Sequence, residues 1–395
     1  MARRKEGKRR PQPQDAHKEP RSLTHGAQTG GSGVRDPRGP LFAAEASQTM
    51  QVEQLPCRVS SGSGGLGVYA SRSISAGERV AFERPLALTI SHNARAHFCA
   101  VCLADSRRSS PPLKCWTLQC ETCHTQYYCS DSCAAAIAAR HGGTECTALL
   151  AASSDPAVDD DTVDTVAQAI RILADRANGI STDVGPAGCF GYAAYAERLV
   201  AITPSTSSAR ECLRTTVDVT LRALPEEARV PPAELHELLE RHSCNLYGVT
   251  GRAGEDVASA SFVGLFHLFN HACCPNVVFD SGSGWRQSSA VGDGSPSTFS
   301  LIALTDIAQG SELCISYTSS AEGPTLRSDH LSEHYGFRCT CHRCTCDDVN
   351  VELDYSEMLE RLRCAEEECG SGLSVPCGDE GPLGFLRCVH CGTSW

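Results

Sequence analysis

The stretch Asn270-His271-Ala272-Cys273-Cys274-Pro275-Asn276 decides how this 395-residue chain is interpreted. An Asn-His pair before a proline turn is, by itself, more often structural than functional. Four further motifs accompany it in order along the chain: GLGVY at 65–69, CNLY at 244–247, GSELCISY at 310–317 and HYGFRCTCHRC at 334–344. The interpretation therefore rests on the ordered set rather than on any single motif.

Cysteine accounts for 24 residues, and 14 histidines accompany it, so the composition needs a chemical explanation. Disulfide scaffolds, zinc proteins and redox enzymes carry this much cysteine, and the disulfide scaffolds are usually short secreted chains. The N-terminal sequence has no apolar export segment, and no apolar run approaches the roughly 18 residues of a membrane span. We expect a reducing compartment, nucleus and/or cytoplasm, no membrane association, and thiols that bind metal.

The net charge of −12 is unevenly distributed, because residues 1–40 carry ten Lys/Arg against four Asp/Glu, and the remainder carries −18. Residues 1–51 combine Pro, Gly, Gln and Ser with few large apolar residues, and we predict a disordered basic tail. An acidic body disfavours nucleic-acid binding, since phosphate affinity requires clustered Lys/Arg. A nucleic-acid-binding zinc protein thus has only the tail in its favour.

Cysteine and histidine pairs between residues 99 and 146 have the spacing of zinc ligands. Eight ligands fit two closed tetrahedral zinc sites. When such sites interleave, the first and third pairs share one ion, and the second and fourth share the other. The predicted groups are Cys99, Cys102, Cys129 and Cys133, then Cys120, Cys123, His141 and Cys146. Cys115 lies in the long gap before Cys120 and is a rival ligand.

A second set of cysteines closes the sequence. Cys364-x4-Cys369 and Cys388-x2-Cys391 form a plausible four-thiolate zinc site, with Cys377 as an alternative ligand. Apolar residues recur at helical spacing from 162 to about 242, whereas short strand-like segments lie at 68–70, 79–82, 276–279, 300–304 and 313–317. The sequence predicts an α+β protein, with a β-rich body interrupted by two insertions.

The ordered motifs resemble those of SET-domain lysine methyltransferases. The cluster at 99–146, with Tyr127-Tyr128-Cys129-Ser130 before its third pair, resembles the MYND zinc finger. Together they are similar to the SET and MYND domain-containing (SMYD-type) protein-lysine methyltransferase family over about residues 55–346. The implied organisation is a tail at 1–51, a SET N-terminal part at 52–98, a finger at 99–146, a helical insertion at 147–250, a SET catalytic core at 251–338, a post-SET zinc segment at 339–348 and a Cys-rich segment at 349–395.

The resemblance implies a role for each matching residue. Gly65, Leu66 and Gly67 match the turn that approaches S-adenosylmethionine, where glycine permits close backbone contact. Asn245, Asn270 and His271 match cofactor-binding residues, and Tyr317 matches the tyrosine beside the transferred methyl group. The remaining matches are Tyr335 and Phe337 in the walls of the lysine channel and adenine site, and Cys273, Cys339, Cys341 and Cys344 at the post-SET zinc, with Cys346 as a rival ligand.

The implied function is S-adenosyl-L-methionine-dependent methylation of a lysine in a histone tail or another protein, with three to four zinc ions. In this interpretation Tyr317, His271 and Asn270 form the catalytic set, and Tyr317 orients the amine rather than acting as a strong base. We further expect a monomer whose finger binds a Pro-rich peptide. His267, Ala272 and Cys274 depart from the subfamily pattern. The alternative is therefore a catalytically weak or inactive SET/MYND zinc adaptor that recruits protein partners.

Overall fold

The computed structural model describes residues 57–62, 65–160, 162–177, 207–251, 254–262, 264–281, 292, 294–367, 369, 372–377 and 385–395. Its strands are β1 (Cys57–Gly62), β2 (Gly65–Ala70), β3 (Arg79–Glu83), β4 (Ala87–Ile90), β5 (Leu118–Gln119), β6 (Tyr127–Tyr128), β7 (Leu246–Thr250), β8 (Asp256–Ser261), β9 (Asn270–His271), β10 (Val277–Asp280), β11 (Phe299–Ala303), β12 (Cys314–Ile315), β13 (Ser374–Pro376) and β14 (Leu386–Cys388). Its α-helices are α1 (Asp131–His141), α2 (Thr144–Ser153), α3 (Val163–Ala177), α4 (Ser207–Ala223), α5 (Pro232–Ser243), α6 (Pro324–Tyr335), α7 (His342–Thr345) and α8 (Val349–Leu362).

Several small sheets share one apolar core. β11 lies between β10 and β3, and all five of its residues are buried, which suits an apolar central strand. β8 similarly lies between β4 and β7. Aromatic side chains fill the space between these sheets, among them Phe262, Phe266, Phe269 and Phe299. The predicted α+β class with a β-rich body is confirmed.

Short pairings bring distant motifs together. β9 pairs in parallel with β12, so Asn270 lies opposite Cys314 and His271 lies opposite Ile315. β2 runs beside the segment before β12, where the Leu313 amide donates to the Val68 carbonyl at 2.7 Å. The structure thus places the glycine-rich, Asn-His and GSELCISY motifs side by side.

Helices form a separate layer around a second apolar core. α2, α3, α4 and α5 bury apolar stripes that include Leu149, Ile170, Val217 and Leu239. The predicted helical block at 162–242 is therefore helical at 163–177, 207–223 and 232–243, and residues 178–206 lie outside the described residues. Within the described ranges, no helix combines the length and the apolar character needed to cross a membrane.

The segment after α7, which we term the C-terminal module (residues 349–395), packs on the β-rich body. Val375 and Val389 join Ile302 and Leu304 in a small buried cluster. Arg387 pairs with the buried Asp280 at 3.4 Å. These contacts tie the module to β10 and to the segment that begins in β11.

A second attachment of the module lies at Gly77, two residues before β3. The backbone there has φ +83°, and a Cβ would lie 2.1 Å from the Pro376 carbonyl oxygen. Glycine therefore permits this close contact between the module and the N-terminal strands.

One predicted strand is shorter in the structure, and one predicted segment lies outside the described residues. The predicted strand at 313–317 pairs only at Cys314–Ile315, because its partner β9 is itself two residues long. The predicted disordered tail, 1–51, lies outside the described residues. The other domain boundaries remain predictions.

Candidate active site and metal centres

Gly67, Asn270 and Glu312 meet at one corner of the body. The Asn270 Nδ2 donates to Glu312 Oε1 at 2.8 Å. A Cβ on Gly67 would lie 2.7 Å from that carboxylate oxygen and 2.9 Å from the Asn270 nitrogen. Glycine is required at position 67 because any side chain would displace these two groups. Gly65 and Leu66 precede it in β2, paired with β1.

His271 joins the tyrosine segment to the post-SET cysteines. Its Nδ1 accepts from the Tyr317 backbone N–H at 2.9 Å, and its Nε2 lies 3.2 Å from Cys273 Sγ. Because Nδ1 is an acceptor, we assign the proton of a neutral ring to Nε2, facing the thiol. One imidazole thus contacts both a predicted metal ligand and the backbone of Tyr317.

Tyr317 lies in a group of aromatic side chains. Its hydroxyl donates to the Phe269 carbonyl at 2.6 Å. Its ring centroid lies 5.0 Å from Tyr335, 5.4 Å from His271 and 6.4 Å from Phe337. Burial raises the pKa of Tyr317 above its ordinary value and raises the pKa of Tyr335 to about 12. Both phenols are therefore neutral near pH 7.

Asn245 and Tyr247 follow α5 and approach the same region. The Asn245 Nδ2 donates to the Arg241 carbonyl at 2.7 Å, which fixes the carboxamide against the helix end. The Tyr247 hydroxyl donates to the Phe266 carbonyl at 2.7 Å. The family resemblance implies no role for Tyr247, although this residue is the last of the CNLY motif at 244–247.

A cavity of about 720 Å³ opens beside this aromatic group. Of the predicted site residues, Asn245, Tyr317 and Tyr335 line it. Gly67, Asn270, His271 and Phe337 do not line it. His271 and Phe337 contact Tyr317. Asn270 precedes His271 in β9, and Gly67 lies against the Asn270 side chain. The volume lies within the range of small-ligand pockets, and the surrounding rings suit a cationic group. The residues present therefore fit S-adenosylmethionine.

A buried carboxylate holds the segment that leads to Asn270. Glu83, 2% exposed, accepts from the backbone N–H groups of Gly264 and Phe266. A Cβ on Gly264 would lie 2.6 Å from Glu83 Oε1, so glycine permits this close approach. This contact could not be predicted, since 180 residues and the whole insertion separate Glu83 from Gly264.

The cysteines and the histidine form four groups, each with its ligand atoms within 4.8 Å of one another. The groups match those predicted from spacing and from the family resemblance: Cys99, Cys102, Cys129 and Cys133; Cys120, Cys123, His141 and Cys146; Cys273, Cys339, Cys341 and Cys344; and Cys364, Cys369, Cys388 and Cys391. The rivals Cys115, Cys346 and Cys377 lie outside these groups. Four thiols, or three thiols and an imidazole, fit a tetrahedral zinc ion.

His141 is oriented by a buried carboxylate. Its Nδ1 lies 3.2 Å from Glu145 Oε1, which leaves Nε2 facing the cysteines, 3.4 Å from Cys123 Sγ. Arg171 donates to the same carboxylate at 2.8 Å. Burial alone would raise the pKa of Glu145, but Arg171 and His141 outweigh it and lower the pKa to about 2. Sequence reasoning missed Glu145, which is four residues after the ligand.

The post-SET group is joined to α8 by two buried arginines. Arg327 and Arg343, whose side chains are 0% and 1% exposed, both pair with Glu352, at 3.0 and 2.6 Å. Arg343 also donates to the Cys273 carbonyl at 2.9 Å. The ion-pair group therefore links the metal-binding segment to the C-terminal module.

Gly292, in the segment before β11, lies against the first finger group. The Gly292 N–H donates to Cys129 Sγ at 3.1 Å, and the Ser130 hydroxyl donates to the Gly292 carbonyl at 2.6 Å. A Cβ at Gly292 would lie 2.6 Å from Cys102 Sγ. The backbone of the β-rich body thus contacts the finger cluster directly.

The SET domain family model matches residues 65–318, so the chain belongs to the SET domain family. The histone-lysine N-methyltransferase ASHR1 of Arabidopsis thaliana is 24% identical over 308 residues, covering 77% of this chain and 58% of that protein. The human histone-lysine N-methyltransferase SMYD3 is 26% identical over 319 residues, covering 77% of this chain and 66% of that protein. A SET and MYND domain-containing protein of Dictyostelium discoideum is 28% identical over 132 residues, covering 30% of this chain and 25% of that protein.

These relatives confirm the resemblance predicted from the motifs. The chain spans less than two thirds of the length of the first two of them.

Proposed function

We propose that this protein is an S-adenosylmethionine-dependent protein-lysine N-methyltransferase. The observation that carries the proposal is the convergence of Tyr317, His271 and Asn270, with Gly67 behind them, beside a cavity of about 720 Å³. Membership of the SET domain family and relatives named histone-lysine N-methyltransferase support it.

The cofactor would be held by residues from separate motifs: Gly65, Leu66, Gly67, Asn245, Asn270, His271, Tyr335 and Phe337. When bound, S-adenosylmethionine would supply the methyl group: its carbon would be accepted in line by an uncharged lysine nitrogen as the carbon–sulfur bond breaks and S-adenosylhomocysteine leaves. The aromatic rings around Tyr317 stabilise positive charge on a bound cofactor through their faces. A bound cofactor and lysine would fill the cavity, which would exclude water and align the reacting groups.

Tyr317 orients the reacting amine as a neutral phenol. Its hydroxyl already donates to the Phe269 carbonyl, so its oxygen lone pairs can accept a hydrogen bond from the amine. Burial in the cavity favours the uncharged amine over the ammonium, which lowers the pKa of a bound lysine. The proton is thereby lost before transfer without a strong protein base.

The metal centres complete the proposal. The four groups would bind up to four zinc ions, each with four protein ligands and no open position for water. Their zinc is therefore structural. The post-SET ion would hold Cys273, next to His271, while the finger ions lie in the insertion.

Transfer of labelled methyl groups tests the enzyme. The zinc-loaded full chain is incubated with S-adenosylmethionine and a panel of core histones and other lysine-containing proteins. We expect transfer in the native protein and losses of at least about 100-fold in Tyr317→Phe and His271→Ala at unchanged zinc content. Tyr127→Phe, on β6 of the finger, is the matched control and should keep full activity.

The opposite result would favour the alternative adaptor. Absence of transfer, together with absence of cofactor binding by calorimetry, would exclude the enzyme. The adaptor alternative is motivated by the departures from the family pattern at His267, Ala272 and Cys274. A Pro-rich peptide at the finger, a monomeric state and a nuclear and/or cytoplasmic location remain predictions of the sequence.

A further inference from the structure

Cys274 is a fifth thiol beside the post-SET group. It follows the ligand Cys273 directly in the chain but lies outside the four-cysteine group. Its sulfur accepts a hydrogen bond from the Arg343 backbone N–H and contacts the Cys341 thiol. The post-SET segment therefore holds the Cys274 sulfur next to a predicted metal ligand.

The post-SET group is the most exposed of the four groups found in the described part of the chain. In each of the other three groups, at most one ligand is not buried. In the post-SET group Cys344 is exposed, Cys339 and Cys341 are half-buried, and Cys273 is buried. Cys274 is half-buried as well. A small oxidant in the solvent therefore reaches this group more readily than it reaches the other three.

Cys274 differs chemically from the four ligands because it would not be held by the ion. A disulfide needs two sulfurs about 2 Å apart, so the contacting sulfurs of Cys274 and Cys341 need little movement to form one. A disulfide between two ligands would instead require both of them to leave the metal. In reducing compartments, disulfides are usually transient and catalytic or redox-sensing.

We propose that Cys274 makes the post-SET centre a reversible switch that hydrogen peroxide inactivates. The proposal rests on the proposed function and adds regulation to the same site. Peroxide oxidises the Cys341 thiolate to a sulfenic acid: an S–O bond forms, the O–O bond breaks, and the departing hydroxide takes a proton and leaves as water. The Cys274 sulfur then attacks the Cys341 sulfur. An S–S bond replaces the S–O bond, and the thiol proton leaves with the hydroxyl group as a second water, so that two electrons pass from the sulfurs to the peroxide.

The disulfide removes one ligand from a site next to the catalytic residues. Three thiolates remain, which bind zinc less tightly than the complete tetrahedral set. The Cys273 sulfur, 3.2 Å from His271 Nε2, then loses the ion that fixes it. His271 Nδ1 in turn accepts from the Tyr317 backbone N–H at 2.9 Å. Oxidation thereby displaces the support of Tyr317 and stops methyl transfer, and a reducing thiol together with zinc restores it.

Mild oxidation of the zinc-loaded full chain provides the test. Hydrogen peroxide should produce a disulfide between Cys274 and Cys341, identified by peptide mapping with mass spectrometry. It should also release about one zinc ion per chain to a chromophoric chelator and lower methyl transfer at least about 10-fold. Dithiothreitol and added zinc should restore most of the transfer.

Cys274→Ser separates a specific disulfide from general oxidative damage. Before oxidation this variant should match the native zinc content and methyl transfer. After oxidation, the sulfenic acid at Cys341 has no thiol to condense with and proceeds to a sulfinic acid. Dithiothreitol does not reduce a sulfinic acid, so the recovered transfer should be at least about 5-fold below that of the native protein. Cys346→Ser removes a half-buried thiol of the same segment outside the group, and this matched control should recover like the native protein.

Three results would overturn the inference: equal recovery in the native protein and Cys274→Ser, a disulfide mapped to another pair, or no disulfide at all. The disulfide and the released zinc are measured without reference to activity. A protein that forms the disulfide and releases zinc but transfers no methyl group and binds no cofactor would instead refute the proposed function.

Discussion

The finger clusters and the later cysteine clusters use the same ligand chemistry, but their attachments to the protein differ. In the finger, His141 is held by Glu145 and Arg171, and one glycine amide from the body contacts Cys129. The post-SET cluster contacts His271 directly, and paired buried arginines tie it to α8. We infer that a metal ion near the cavity supports the active-site residues, whereas metal ions in the finger stabilise a separate unit attached to the body.

Removal of a post-SET ligand should produce the largest effect. Cys273→Ser should lower zinc content by one ion per chain and reduce methyl transfer by about 100-fold or more, because Tyr317 loses the support that reaches it through His271. Zinc analysis and transfer rates provide the measurement. Cys274→Ser, the adjacent thiol outside the group, is the control and should keep both.

The same experiment in the finger sharpens the contrast. Cys99→Ser should also lose an ion but retain S-adenosylhomocysteine binding in calorimetry. Equal loss of cofactor binding in Cys99→Ser and Cys273→Ser would show that the two regions do not differ in the way inferred here.

Loss of the ion pairs that attach the C-terminal module should produce the next largest effect, on the free energy of unfolding. Glu352→Ala leaves Arg327 and Arg343 buried without their carboxylate, which should lower the free energy of unfolding by about 3 kcal/mol, the low end for a broken buried pair because Glu352 is 31% exposed. Denaturant unfolding measures it. Glu357→Ala, an exposed helix position on α8, serves as the comparison and should change stability by less than about 0.5 kcal/mol.

The pH dependence of this link follows from the same carboxylate. The hydrogen bond from Arg343 lowers the pKa of Glu352 from 4.5 to about 2. Its contribution is therefore complete above pH 4.5 and is lost as the pH falls toward 2. In Glu352→Gln this acid-sensitive part of the stability curve should be absent. A native-like acid profile in that variant would contradict the assignment.

Loss of the carboxylate behind His141 should weaken one finger site only. In Glu145→Gln the His141 imidazole keeps a hydrogen-bond acceptor, but this acceptor no longer carries a negative charge. Zinc affinity at this site should therefore fall about 10- to 100-fold. Competition with a chromophoric chelator measures it. Methyl transfer at saturating zinc should be unchanged, and a parallel loss of transfer would argue against the independence of the finger.

The smallest effect is expected at the contact between the finger and the body. Gly292→Ala places a methyl group against the Cys102 and Cys133 sulfurs. The loop, rather than the metal cluster, should move, at a cost of about 1 kcal/mol. The expected signature is faster amide exchange in the loop before β11 with unchanged zinc content. Gly310→Ala offers a contrast, since its Cβ would meet no atom within 4 Å but its φ of +84° is strained.

Much of the architecture could be predicted because it depends on local spacing. Cysteine pairs have characteristic intervals, and the structure brings every predicted ligand group together. By contrast, Glu83 and Glu145 carry no local signal. Each becomes significant only through a partner that folding brings close. Glycine at 292 was equally unpredictable, since only the tertiary structure places a thiol against it.

The position of the C-terminal module beside the cavity could not be predicted from the sequence either. The cysteines of the module predicted a metal group, but neither spacing nor composition indicates that Leu359 and His390 line the same cavity as Tyr317. That placement depends on Asp280, Gly77 and Glu352, three residues from different parts of the chain. Docking surfaces of this kind have no sequence period.

The close contact between Gly77 and Pro376 has a consequence for synthesis of the chain. These residues lie near opposite ends of the described sequence, so the contact closes a very long loop, and such contacts form late in folding. A ribosome-bound chain that lacks the C-terminal module can form early strands and the finger but not this contact. The fold should therefore be completed only after the module has left the ribosome, and before then a chaperone has access to the apolar side chains of Ile302 and Leu304 that the module later covers.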